Sequence, residues 1–105
     1  MEMVKIYKKL VRDNIPAICA KNGQTAKTRV LSEDEYRCAL NEKLLEEVNE
    51  YLADEDVKEL ADILEVVDAI AVSKGISLDT VMQIKSQKAA ENGKFDERLF
   101  LIEVE

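Results

Sequence analysis

Two consecutive stretches, KLLEEVNEYLA (43–53) and KELADILEVVDAI (58–70), repeat apolar residues at helical spacing and place acids where a core-facing helix carries aliphatics. At about 100° per residue, the second stretch gathers Leu60, Ile63, Leu64, Val66, Val67, Ala69, Ile70 and Ala71 on an arc covering more than half its circumference. Glu59 and Asp62 fall inside that arc. Glu65 and Asp68 fall opposite it with Ala61, and Val72 is the one sizeable apolar residue on that side. The first stretch has its apolar face at Tyr36, Leu40, Leu44, Leu45, Val48, Tyr51 and Leu52, with Glu47 inside it and Glu50 at its edge one turn on. Glu42 and Glu46 point further toward solvent. Burying a carboxylate without a partner costs several kcal/mol, so acids on two packing faces imply a compensating cation. If the two helices run antiparallel, Glu47, Glu50, Glu59 and Asp62 converge.

The flanking pattern predicts the remaining elements. MEMVKIY alternates Val4 and Ile6 and reads as a short strand or an extended arm. In KKLVRDNIP, Asp13 or Asn14 can cap a short first helix that carries Pro16 in its first turn and ends near Gly23. QTAKTRVL is extended. Ser32 and Glu35 then form a capping box, with Leu31 and Tyr36 in the positions of a hydrophobic staple, so the second helix starts near Glu33 and runs to about Ala53. Asp54, Glu55 and Asp56 break the pattern, and Asp54 can cap the third helix. So short a turn makes consecutive helices antiparallel neighbours. Gly75 stops the third helix; Ser77 or Asp79 opens a fourth, with Leu78, Val81, Met82 and Ile84 inward, which Asn92 and Gly93 end. KFDERLFLIEVE alternates apolar residues as a short strand or extended cover.

Composition narrows the function. A chain of 105 residues is one domain, residues 1–105, small enough that oligomerisation would help it. No apolar run approaches the ~20 residues of a membrane span, and MEMVKIYKKL lacks a signal peptide's apolar stretch, so a cytoplasmic protein with no membrane association is expected. A net charge of −7 argues against binding a nucleic acid polymer. It leaves room for a small phosphate substrate if a metal sits between acids and phosphates. There is no His, and Cys19 and Cys38 lie outside any metal-binding spacing, so zinc and thiol-histidine chemistry lack their parts. Carboxylate oxygens alone select Mg²⁺, or Mn²⁺, over zinc or copper, and no loop has the EF-hand pattern. The competing reading is a solvated acidic face with intrahelical partners, Lys43 with Glu47 and Lys58 with Asp62.

LLEEVNE followed by KELADILEVV resembles the all-α nucleoside triphosphate pyrophosphohydrolases, the MazG and phosphoribosyl-ATP pyrophosphohydrolase superfamily, whose signature is EExxE followed by ExxD. Glu46, Glu47 and Glu50 match the first motif, and Glu59 and Asp62 the second. YKKLVRDNIP, RVLSEDEY and the terminal KxxxxGxF element of Lys88, Gly93 and Phe95 are similar to a small single-domain branch of that superfamily, so the resemblance covers nearly the whole chain. The gap between Glu50 and Glu59 is shorter than is usual there. Glu65 and Asp68 would restore a longer gap, but they face the more polar side of the helix and lack the ELAD context.

The resemblance implies an all-α antiparallel helical bundle, completed by oligomerisation to a homodimer or homotetramer, with short extended segments at the ends. It implies Mg²⁺ held by Glu47, Glu50, Glu59 and Asp62, with Glu46 a weaker ligand or a group that orients water, so that Glu46 and Glu47 serve catalysis. It further implies hydrolysis of a nucleotide triphosphate to the monophosphate and pyrophosphate, in a house-cleaning role against noncanonical nucleotides. Lys9, Arg12, Lys88 and Arg98 are candidates for phosphate contacts, and Asp13 and Asn14 for base or ribose contacts or a helix cap. Phosphoribosyl-ATP is the second substrate expectation, and a non-catalytic helical assembly module of the same fold is the rival from another class. Oligomerisation also follows from the third helix, whose apolar arc is about twice the width that a surface helix needs.

Overall fold

A computed structural model describes residues 4–105, and in these the chain is all-helical with no strand. Four helices follow one another: α1 (Ile15–Lys21), α2 (Glu33–Asp54), α3 (Val57–Ser73) and α4 (Leu78–Asn92). The segments before α1, between α1 and α2, and after α4 carry no regular structure. Of MEMVKIY, residues 1–3 lie outside the described residues, and residues 4–7 form no strand.

Local chemistry sets each helix boundary. Ser32 accepts from the Glu35 N–H while the Glu35 carboxylate accepts from the Ser32 N–H, so the capping box starts α2 at Glu33 as the sequence predicts. Arg29 adds a bidentate pair to the same carboxylate, at 2.7 and 3.2 Å. The α3 cap differs from expectation. Asp56, not Asp54, accepts from the Lys58 N–H, while Asp54 closes α2 and takes the Asp56 N–H at 3.0 Å. The reversal between the two helices needs a left-handed residue, which Glu55 supplies at φ 54°, and this leaves Asp56 at the entry of α3. Ser77 caps α4 through the Thr80 N–H. Gly75 ends the preceding turn at φ 76°, where a side chain would be strained. Asn14 occupies the N-cap of α1 without a side-chain cap bond, and Pro16 sits in its first turn.

The two-residue connection folds α3 back along α2, and this hairpin is the main packing contact; α4 packs on α3 over a smaller area. The core of the single chain is slight. Among the described residues, Leu40, Val66 and Ala71 are buried apolar residues, and the one buried charged residue is Glu47. Leu78 and Val81 are half-buried on α4, whereas Met82 and Ile84, expected to face inward, are exposed because they fall on either flank of the Leu78–Val81 stripe.

Candidate metal centre

The hairpin brings the acids of the two motifs together. Glu46, Glu47 and Glu50 on α2 form one group and Glu47, Glu59 and Asp62 a second, the carboxylate oxygens of each lying within 4.8 Å of one another. Glu47 belongs to both. Helical phase singles out Glu47, Glu50, Glu59 and Asp62 of these, Glu46 joins them although phase sets it further toward solvent, and Glu65 and Asp68 lie in neither group. Glu59 and Asp62 stand one turn apart on the α3 face that meets α2, which is why an antiparallel partner can add Glu47 to them.

Glu47 is the electrostatic centre of the arrangement. The residue is 6% exposed, and one oxygen, Oε2, has no hydrogen-bond partner among the described residues. The other, Oε1, is 3.1 Å from Lys43 Nζ. Burial raises the Glu47 pKa against the pull of Lys43, and the adjacent Glu50 carboxylate raises it further. Glu59 is pushed up to about 7 by partial burial and by the negative charges of Asp54, Glu50 and Asp62. Burial works on Glu46 in the same direction, but Lys9 and Lys43 outweigh it and hold this carboxyl below its ordinary range. Lys43 itself is raised, since Glu47 and Glu46 more than offset its partial burial.

The N-terminal segment supplies cations to the acids. Lys9 Nζ lies 3.2 Å from Glu46 Oε1, and Arg12 Nη2 lies 2.8 Å from Asp62 Oδ1. Two of the basic residues proposed from the sequence are therefore at the site. Lys88 and Arg98 are not: neither is paired with the acid cluster, and Arg98 lies in the segment after α4, at φ 55°. Asp13 is exposed and sits just before the N-cap of α1, apart from the acid groups. Of the intrahelical pairs that would make the acids an ordinary charged face, Lys43 with Glu47 forms and Lys58 with Asp62 does not, because Asp62 is taken by Arg12. Lys43 is a site residue whose only sequence signal is its position three and four residues before Glu46 and Glu47. Beside the cluster, a shallow cavity of about 530 Å³ runs along α2, lined by Glu42, Leu45, Glu46, Asn49, Glu50 and Ala53.

The donor set suits a hard divalent cation. Five carboxylates and no softer ligand match Mg²⁺ or Mn²⁺, and the buried, unpartnered Glu47 Oε2 is a donor atom that the protein leaves free.

The chain is 52% identical over 44 residues to an uncharacterized protein of Mycolicibacterium smegmatis, a match that spans 42% of this chain and 45% of that protein. No protein-family model matches the chain, and no solved structure matches it.

Proposed function

We propose that the chain is a Mg²⁺-dependent nucleotide pyrophosphohydrolase, converting a nucleoside triphosphate or related nucleotide to its monophosphate and pyrophosphate. The observation that carries this reading is Glu47, a nearly buried carboxylate with a free oxygen at the junction of two acid groups. An isolated protein has no reason to hold five acids there, since each raises the cost of ionising the next. A bound cation reverses that sign. Glu47, Glu50, Glu59 and Asp62 would hold it, and it would neutralise polyphosphate charge and supply a water acidic enough to become a nucleophile near neutral pH.

The chain's own residues have defined tasks in this reading. Glu46, at the solvent side of the cluster, can accept a proton from an attacking water. Lys43 holds the Glu46 and Glu47 carboxylates in position through 3.3 and 3.1 Å ion pairs. Lys9 and Arg12 place cationic groups at the rim, where they can meet phosphate oxygens. Lys88 and Arg98 remain candidates for the same role. The cavity flanking Glu46 and Glu50 offers the apolar side chains Leu45 and Ala53 to a nucleoside.

The functional unit in this reading is a homodimer or a higher homo-oligomer. One chain exposes 9922 Å² of surface, whereas a compact monomer of its mass exposes about 5,900 Å². Its radius of gyration is 18.5 Å, against about 13 Å for a compact chain of this length. On α3, Leu60 and Leu64 are 43% and 58% exposed, so part of its apolar arc is uncovered in a single copy.

Titrating Mg²⁺ while following pyrophosphate release from a nucleotide panel that includes phosphoribosyl-ATP tests the reaction. Release that saturates with Mg²⁺ supports it. Silence across the panel favours a helical assembly module without turnover.

A further inference from the structure

Beyond the acid site, the segment after α4 carries a run of exposed apolar side chains. In residues 95–104 the side chains of Phe95, Leu99, Phe100, Leu101, Ile102 and Val104 are all exposed, Phe100 at 88%. Six large exposed apolar groups in ten residues are the kind of surface that marks association. The same chain also leaves Leu64 and Val72 of α3, Ile76, and Met82 and Ile84 of α4 exposed on its helices. Both need cover, and neither covers the other. The chain measures 66 Å along its longest axis, whereas its longest helix, of 22 residues, accounts for only about 33 Å. The chain therefore reaches well beyond its longest helix, although Lys9 and Arg12 hold the N-terminal segment against the hairpin.

We infer that the arm formed by residues 95–104 of one copy lies across the open α3–α4 face of a second copy, and that the exchange is reciprocal. The inference rests on the dimer of the preceding section and specifies what holds it together. Length fits: beyond the turn closed by the Arg98 N–H on the Phe95 carbonyl, the seven residues 99–105 span up to about 25 Å, and α3, with 17 residues, is about 25 Å long. Charge fits on the α4 side of that face. The arm and its end carry Asp96, Glu97, Glu103 and Glu105 against the single cation Arg98. The receiving face carries Lys85 and Lys88, which helical phase sets among Val81, Ile84 and Met82, and neither lysine has an ion-pair partner among the described residues. Area fits too: the surface in excess of a compact monomer is about 4,000 Å² per copy. A twofold assembly that buries even half of this from each copy falls in the range of obligate homodimers, about 2,000–5,000 Å² in total. Isologous symmetry makes each copy both donor and acceptor of an arm.

The full-length chain carrying Leu99→Asp and Leu101→Asp tests the inference by sedimentation equilibrium. Both side chains are exposed in a single copy, so the helices should fold unchanged, as circular dichroism checks. The dimer dissociation constant is expected to rise about a hundredfold or more. Leu64→Asp, on the receiving face, should weaken the dimer similarly, and the combined variant should be little weaker than either alone. A wild-type dimer whose association the arm substitutions leave unchanged overturns the arm exchange and leaves the dimer standing. A wild-type chain that is monomeric at micromolar concentration overturns both. Isotope-filtered nuclear Overhauser spectra of mixed labelled and unlabelled dimers should show the Phe100 ring against Leu64 or Met82 of the other copy. Contacts confined within one copy, or between two arms, overturn the assignment.

Discussion

Replacing Glu47 with Gln should change stability in opposite directions with and without divalent cation. The substitution keeps the shape of the side chain and an acceptor for Lys43, which lies 3.1 Å from Oε1. It removes a negative charge from a position that is 6% exposed and beside Glu50, and it gives the partnerless oxygen site an amide donor for its acidic neighbours. An unsatisfied buried polar group costs about 1–3 kcal/mol, and loss of the charge-assisted Lys43 pair offsets part of the gain, so a net stabilisation of about 1 kcal/mol is expected without metal. For a domain of this size that is roughly 4–8 °C in Tm. Mg²⁺ at a hundred times its dissociation constant should stabilise the wild-type chain by about 2.7 kcal/mol, and the variant hardly at all. Thermal unfolding followed by circular dichroism, with EDTA or with saturating Mg²⁺, reads both numbers, provided protomer concentration is held fixed because assembly contributes to Tm. A variant that is less stable than wild type in EDTA and equally stabilised by Mg²⁺ would refute the reasoning.

Three further outcomes are expected. Asp62→Asn should abolish Mg²⁺-dependent pyrophosphate release with the fold intact, whereas Glu65→Gln and Asp68→Asn should leave it unchanged; the reverse assignment, read in the same assay, would mean that the wrong acid pair on α3 has been identified. Because the folded-state pKa of Glu59 stands near 7, above the ordinary 4.5, the folded chain binds more protons than the unfolded chain between these values. Metal-free stability should therefore fall as pH rises through that window, while Mg²⁺ affinity rises and binding releases protons, as calorimetry in buffers of different ionisation enthalpy would show. Glu55→Gly, at the left-handed residue that joins α2 to α3, should stabilise the chain by up to about 1 kcal/mol in denaturant unfolding, since a non-glycine residue is strained there.

The parts of the molecule that depend on near neighbours in sequence were legible before any coordinates. Ser32 and Glu35 specify the start of α2 because both halves of a capping box lie within one turn, and the inward phase of Glu47, Glu59 and Asp62 follows from helical periodicity alone. The cap of α3 was misplaced by two residues because Asp54, Glu55 and Asp56 have similar capping chemistry, and only the left-handed turn at Glu55 selects among them. Contacts across long stretches of chain were legible only as a choice of charged candidates. Lys9 reaches Glu46 across 37 residues and Arg12 reaches Asp62 across 50, and no periodicity distinguishes these cations from Lys88 and Arg98, which stay apart from the cluster. The inward reading of Met82 and Ile84 took in both flanks of the Leu78–Val81 stripe, and these are exposed in a single chain.

The most direct measurement follows phosphorus itself. ³¹P nuclear magnetic resonance on the full-length chain, a panel of canonical and noncanonical nucleotides and a Mg²⁺ titration resolves pyrophosphate from orthophosphate and each from the nucleotide. Cleavage at the acid cluster is expected to give monophosphate and pyrophosphate in equal amounts, in proportion to Mg²⁺ occupancy, and to vanish in Asp62→Asn. Orthophosphate as the primary product, or the same turnover in EDTA, would contradict a metal-assisted pyrophosphohydrolase at Glu47, Glu50, Glu59 and Asp62.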